Sequence, residues 1–261
     1  MEIAMTATTT ITKTKEISID ELWESTAISE RIFNPESIAH LPTAAQLYLN
    51  HAIVPGAKLA SAVRLWMHGE IKLGQKWYHF TGEEVICWNR GMMWWATTWM
   101  QGLPIWGADS VVDGMSEVQR KMLGLFTVME ASGAGVTRSG KGRMQGESVW
   151  LPSVLCNPDL AWTEMDTEHV RANFTALGEQ AELVLGVDRF GGLKRVKFLL
   201  WSNPEGREHQ YVDFGGVVEA NGTFGDYTIP TQLRLGWFFD SERFESEGEF
   251  FRCRIDNAIY R

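Results

Sequence analysis

The sequence predicts an α+β protein built on one large, bent antiparallel sheet, a half-barrel or open barrel. Three observations carry that expectation. Tryptophans fall at strand spacing, short turn signals divide most of the chain into apolar runs, and helix-period patterns are confined to the N-terminus and mid-chain. The chain has 12 Trp in 261 residues, five of them from Trp77 to Trp99. In Met92–Met100, side chains alternate across a strand, so Trp95 and Trp99 share one face and Trp94 takes the other. One apolar face must pack on a core; the other is expected to enclose a ligand.

Taken in order, residues 1–18 are Thr-rich and read as a flexible leader, and 19–261 as a single ligand-binding domain. Helical patterns cover Ile19 to Ile32 and Pro42 to Ala52, separated by Asn34-Pro35. From Lys58 to Val112 the chain reads as a four-stranded meander. Its turns fall at Leu73-Gly74-Gln75, Asn89-Arg90-Gly91 and Gln101-Gly102-Leu103. Ser116-Glu117-Val118-Gln119 has the form of a capping box. With Val118, Met122, Leu125, Phe126 and Met129 at helical spacing, it predicts a helix from Ser116 to Ala131. A second helix, Arg143 to Cys156, should bend or end at Pro152. Strands resume at Ala161–Thr163, His169–Leu177, Ala181–Val187, Leu193–Trp201, Tyr211–Val218, Thr228–Phe239 and Glu247–Asn257, with turns at Asp188–Gly192 and Glu219–Gly222. The N-terminal and mid-chain helices are expected to close one side of the sheet.

The formal charge of -9 argues against nucleic acid and against an anionic membrane surface. No run is long enough for a membrane span, and the start of the chain has no secretory pattern, so the expected location is cytoplasmic. Cys87, Cys156 and Cys253 are too scattered for a disulfide framework or a CxxC site and read as buried thiols. The six histidines form no HxH or HExxH pattern, and His68 and His79 read as a cross-strand polar pair. Neither a metal nor a cofactor is implied. Oligomeric state is left open.

The densest set of chemical groups runs from Thr137 to Pro152. On a helix, Arg143, Glu147, Trp150 and Leu151 would share a face, placing a cation and a carboxylate beside an indole. Glu147 is then the candidate acid or base, with Arg138 and Arg143 as anion-stabilising cations; a structural Arg/Glu pair is the alternative. Gly140-Lys141-Gly142 lacks the rest of a phosphate loop. Tyr227 and Glu249 are possible second catalytic partners, Tyr227 otherwise anchoring a loop. Trp66, Trp95, Trp99, Trp106, Trp150 and Trp237 are the candidate ligand walls.

Several motifs in combination resemble an uncharacterised bacterial family, a domain of unknown function. They are Leu41-Pro42 with Tyr48-Leu49, Gly102-Leu103-Pro104 with Gly107-Ala108-Asp109, Thr137-Arg138-Ser139 with Gly142-Arg143, Glu147 to Pro152, Thr223 to Tyr227 with Ile229-Pro230-Thr231, and Glu247 to Phe251. The element order is similar to the periplasmic lipoprotein-carrier fold, a half-barrel that shelters acyl chains. The leading expectation is a cofactor-independent acid/base enzyme, of isomerase, cyclase or lyase type, acting on an apolar or aromatic small molecule in a Trp-lined pocket. The alternative is a non-catalytic carrier or sensor of a hydrophobic, lipid-like ligand. A third reading, an interaction module, requires the aromatic face to be exposed.

Overall fold

A computed structural model describes residues 17–122 and 126–261. Residues 1–16, most of the expected leader, lie outside the described residues. Among the described residues, thirteen strands form one antiparallel sheet: β1 (Ala62–Leu73), β2 (Lys76–Cys87), β3 (Gly91–Met100), β4 (Leu103–Val112), β5 (Met115–Met122), β6 (Phe126–Ser132), β7 (Ala161–Glu164), β8 (His169–Ala176), β9 (Glu179–Val187), β10 (Leu193–Ser202), β11 (Gln210–Phe224), β12 (Tyr227–Trp237) and β13 (Glu249–Tyr260). Their spatial order is β6-β5-β4-β3-β2-β1-β13-β12-β11-β10-β9-β8-β7, so the sheet is open, with β6 and β7 at its edges. The helices are α1 (Ile19–Glu24), α2 (Thr43–Ala52) and α3 (Ala134–Glu147), with short 3-10 turns at Pro35–Ile38 and Pro152–Cys156.

The sheet must bend strongly. Helix α3 packs against both β5 and β10, which stand eight positions apart in strand order. Eight strand spacings span about 38 Å in a flat sheet, whereas a helix with its side chains is roughly 10–12 Å across. Both contacts are met only if the sheet curls around α3, which therefore lies in the trough.

Register then assigns every side chain to a face. Ala258, Leu65, Glu84, Trp94, Asp109 and Val118 sit opposite one another across six strands and share the concave face. That face carries the main core, including Leu65, Ile86, Met92, Trp94, Met144, Leu183 and Leu185. Leu65 is fully buried there, a position where truncation to Ala costs about 2–5 kcal/mol. Trp66, Glu83, Trp95, Ala108 and Gln119 form the neighbouring row on the convex face. Helix α1 covers one end of this face, where Leu22 packs on Ala62, Val85, Cys87 and Met93. A full capping box, with Ser18 and Glu21 each bonding the other's backbone, starts that helix.

Helix α3 has no apolar stripe; it approaches the sheet through glycine. A Cβ on Gly140 would stand 2.2 Å from Ser116 Oγ, and one on Gly146 would stand 2.7 Å from the Phe198 ring. Gln145 pins the helix to the far arm, donating to the Leu199 carbonyl at 3.0 Å and accepting from the Glu182 N–H at 3.1 Å.

Several expectations are corrected. The helix expected from Ser116 to Ala131 is the hairpin β5–β6. Ser116 is a strand residue whose N–H donates to Thr137 Oγ1 at 3.3 Å, so it caps nothing. Asp113 and Gly114, with φ of 49° and 84°, make the tight turn from β4, and Asp-Gly is a strong hairpin signal. The helix expected over Arg143–Cys156 instead begins at Ala134 and ends at Glu147, and Pro152 opens a separate 3-10 turn. The first helix stops at Glu24, short of the expected Ile32. Glu219–Gly222 is not a turn but an irregular stretch inside β11.

Candidate functional site

Where α3 crosses the concave face, three carboxyl groups and two arginines meet. Arg143 bonds Glu147 through Nε at 2.5 Å and Glu84 through Nη2 at 3.1 Å. Its Nη1 stands 3.6 Å from Asp109, whose other oxygen takes Arg120 Nη1 at 2.6 Å. The helix supplies Arg143 and Glu147 one turn apart, while strand register places Glu84 on β2 and Asp109 on β4 in line with Trp94 between them.

Burial sets the charge state. Glu84 and Glu147 are 0% and 3% exposed, and each keeps one oxygen, Oε2, with no hydrogen-bond partner. Burial, then the nearby Glu147 charge, pushes Glu84 well above the ordinary carboxylate range, against the pull of Arg143. Burial also raises Glu147, but Arg143 opposes it by both charge and hydrogen bond. Of the two, Glu84, the carboxyl with the longer Arg143 contact, is the one that holds a proton more readily. Protonation of Glu84 would leave two cations balancing two anions.

In front of this cluster lies a cleft of about 290 Å³ between the arms of the sheet and the N-terminal half of α3. Met92, Val118, Val136, Leu200 and Trp201 make its apolar lining, and Ser116 and Arg143 are among its polar residues. Ser116 is buried and its Oγ has no partner. Arg143 also lines the cleft, its Nη1 ion-paired with Asp109 but beyond hydrogen-bond reach of it. Asp109, Ser110, Ser139, Ser202 and His209 complete the polar part of the lining, so polar groups border the cleft on both arms of the sheet and on α3.

Residues 31–246 match the model of a family of unknown function, DUF6544. The chain belongs to this family. No curated protein matches it significantly. Among solved structures, the chain is similar to a LolA superfamily protein from Nitrosomonas europaea, at TM-score 0.46 and 9% identity, covering 84% of this chain and 92% of that one. It is also similar to a DUF1329 family protein from Desulfovibrio piger, at TM-score 0.44 and 10% identity, covering 87% and 94%.

Two of the motifs of this DUF6544 chain, Thr137 to Arg143 and Glu147 to Pro152, lie on α3 and at its end. Thr137 fixes the start of β5, Ser139 and Gly140 line the cleft, and Arg143 and Glu147 build the charged cluster. Arg138 stands apart from it. Its guanidinium stacks 4.3 Å from the Trp201 ring centroid and donates to Tyr211 Oη at 3.0 Å, at the outer rim. Tyr227 is a loop anchor: its hydroxyl donates to the Lys58 carbonyl at 2.5 Å and accepts from the Ala60 N–H at 2.8 Å, and its ring stacks on Tyr260. Glu249 is buried against Arg234 and Arg252 at 2.8 and 2.5 Å, far along the sheet from α3. Those two arginines, with Arg254 and His68, line a second cleft of about 330 Å³. There Arg234 is held by Glu219 and Glu249, Arg252 by Glu249, and His68 bonds Asp256.

The candidate tryptophans do not form one wall. Trp95, Trp99 and Trp106 are 55%, 58% and 47% exposed on the convex face, and Trp66 is half-buried on that face. Trp150 is in the core, donating to the Pro230 carbonyl at 3.1 Å. Trp237 packs with Phe214 and Phe250. The indole that does line the cleft is Trp201. Sequence reading also passed over Glu84, Asp109 and Ser116. The signal available was register: each lies in a strand whose alternation, once anchored on Trp94 or Val118, turns it toward the concave side.

Proposed function

We propose that this protein binds a small amphipathic molecule in the cleft between α3 and the concave face, as a carrier or sensor. The apolar body of the ligand lies on Met92, Val118, Leu200 and Trp201, and its polar end meets Arg143 and Ser116. The observation that carries this reading is a buried Ser116 hydroxyl without a hydrogen-bond partner that, like the Arg143 guanidinium, borders a cleft of about 290 Å³. A buried polar group left unpaired costs free energy that a ligand hydrogen bond recovers.

Acid–base chemistry on the bound molecule is a second reading, favoured by Glu84, a carboxyl raised by burial and bonded to Arg143. It ranks below binding because neither Glu84 nor Glu147 lines the cleft; both stand behind Arg143.

Titration with 1-anilinonaphthalene-8-sulfonate, an aromatic body with an anionic head, tests the site. Val136→Trp, which fills the cleft from a partly exposed position on α3, is expected to weaken the probe at least about tenfold, the loss of one well-made contact. Equal affinity in the variant places the probe elsewhere and sinks the reading. Native mass spectrometry of protein from its own host should show a small-molecule adduct that Val136→Trp loses.

A further inference from the structure

Two hairpin ends of the N-terminal half share a composition unlike the rest of the chain. The turns β1–β2 and β3–β4 project from the same end of the sheet, because antiparallel strands joined by tight turns alternate in direction. Segments 71–82 and 96–108, which build these ends, contain no Asp or Glu in a chain that has 33. They carry Lys72, Lys76 and His79, and Lys121 joins them by pairing with Trp106. The carboxylates on these strands are already matched, Glu70 to Arg252 and His79, and Glu83 to Arg64. The β12–β13 connection leaves the same end beside β1 and is acidic, but Asp240, Glu245 and Glu247 in it are paired to Arg195, Arg234 and Arg243. The corner made by the β1–β2 and β3–β4 turns is thus locally cationic in an acidic protein.

The same end is where the indoles are exposed. Trp95, Trp99 and Trp106 stand on the convex face leading to it, and Leu73 and Leu103, 42% and 44% exposed, sit at the two turns. Among the described residues, α1 covers only the far end of this face, over Met93 and Val85. Its large apolar groups are therefore in water at a site where burial would stabilise them.

We propose that this end docks on a phospholipid surface bearing anionic headgroups. Indole rings partition to the headgroup boundary, and lysines beside them are attracted by the surface potential. A protein partner fits less well, since lysine is depleted in the cores of protein interfaces. The net charge of -9, which argues against attraction of the molecule as a whole, is outweighed locally, because the surface field falls off within about a Debye length and acts on the corner that approaches it. The proposal is independent of what the α3 cleft binds.

Co-sedimentation of the full chain with phosphatidylcholine vesicles, with and without phosphatidylglycerol, tests it. The protein should pellet with the phosphatidylglycerol vesicles, show tryptophan emission shifted to shorter wavelength, and be released on raising salt from about 0.1 M to about 1 M. Lys72→Glu/Lys76→Glu should lower partitioning at least about tenfold, and Trp99→Ser/Trp106→Ser should do the same with unchanged circular dichroism. Failure to pellet with anionic vesicles overturns the proposal, as does binding that both double variants retain. A dimer seen by sedimentation equilibrium and lost in Trp99→Ser/Trp106→Ser, without vesicle binding, would assign the surface to a second copy and overturn it equally.

Discussion

Strand β3 carries adjacent tryptophans with opposite fates. Trp94, 5% exposed, sits on the concave face with its ring edge-on to Phe80 and Phe251. Trp95, one residue on, is more than half exposed on the convex face. Nothing in residue type separates them; the period-two alternation of the strand and the placement of α3 do. The concave face is where helices, glycines and buried charge have been fitted together. On the arm from β1 to β5 the convex face is fitted, among the described residues, where α1 reaches it, and Trp95, Trp99 and Trp106 beyond that helix stay exposed.

The sharpest way to break that contrast is to truncate both rings. Trp94→Ala removes a core indole and should cost about 3–5 kcal/mol, whereas Trp95→Ala should stay within about 0.5 kcal/mol. Urea denaturation measures both. Comparable losses would mean that the convex face is packed in solution, and the proposed docking end would lose its exposed rings.

Glycine gives a finer version within α3. A Cβ at Gly140 meets Ser116 Oγ and Cβ at 2.2 and 3.0 Å, while one at Gly135 meets nothing within 4 Å. Gly140→Ala should therefore destabilise by about 1–3 kcal/mol through overpacking, and Gly135→Ala should stabilise by up to about 1 kcal/mol through helix propensity and a less flexible unfolded chain. Thermal melts of the pair report the difference. Equal shifts would mean that α3 is not held close against β5 at Gly140, and the cleft beside it would lose its floor.

The same glycines explain what the sequence hid. Strands were legible wherever turn residues bounded an alternating run, as from Lys58 to Val112, and the strands of the second meander were each found, although β11 runs on through the expected turn at Glu219–Gly222 to Phe224. Helix α3 was misplaced because its first half, Ala134 to Gly142, has no apolar periodicity; it is held by glycine contacts and by Gln145, which a pattern search does not see. The β5–β6 hairpin was misread because Val118, Met122 and Met129 satisfy a helical period, although Asp113-Gly114 was a stronger signal for a turn. In the site, Arg143 with Glu147 was legible from i,i+4 spacing. Glu84 was not, because it is 59 residues from Arg143 and is brought there by strand order alone. The tryptophans misled for a related reason: alternation says that rings lie on two faces, but not which face is covered.

The smallest effect compares Glu84 with Asp113, an exposed carboxylate at the β4–β5 turn. Glu84 is raised in the fold above its unfolded value, near 4.5, mainly by burial and next by the Glu147 charge. The folded state therefore binds a proton more tightly than the unfolded one. The stability this supplies is complete below the unfolded value and is lost as pH rises through the folded value. In that window one proton contributes a slope of at most about 1.4 kcal/mol per pH unit. Glu84→Gln keeps the neutral shape and a hydrogen-bond acceptor for Arg143 but has nothing to ionise, so its stability should decline less between pH 5 and neutrality than that of the parent chain. Asp113→Asn on the exposed Arg90 pair has the opposite sign. Arg90 lowers the Asp113 value, so this carboxylate stabilises above its unfolded value and loses that contribution as pH falls. Because Asp113 is largely exposed, its contribution is screened and small. Parallel urea series at pH 5, 6 and 7 separate the two. If Glu84→Gln follows the slope of the parent chain, the carboxyl cluster behind Arg143 is hydrated and fully ionised, and the division between a dry concave face and a wet convex one fails where it was drawn most strongly.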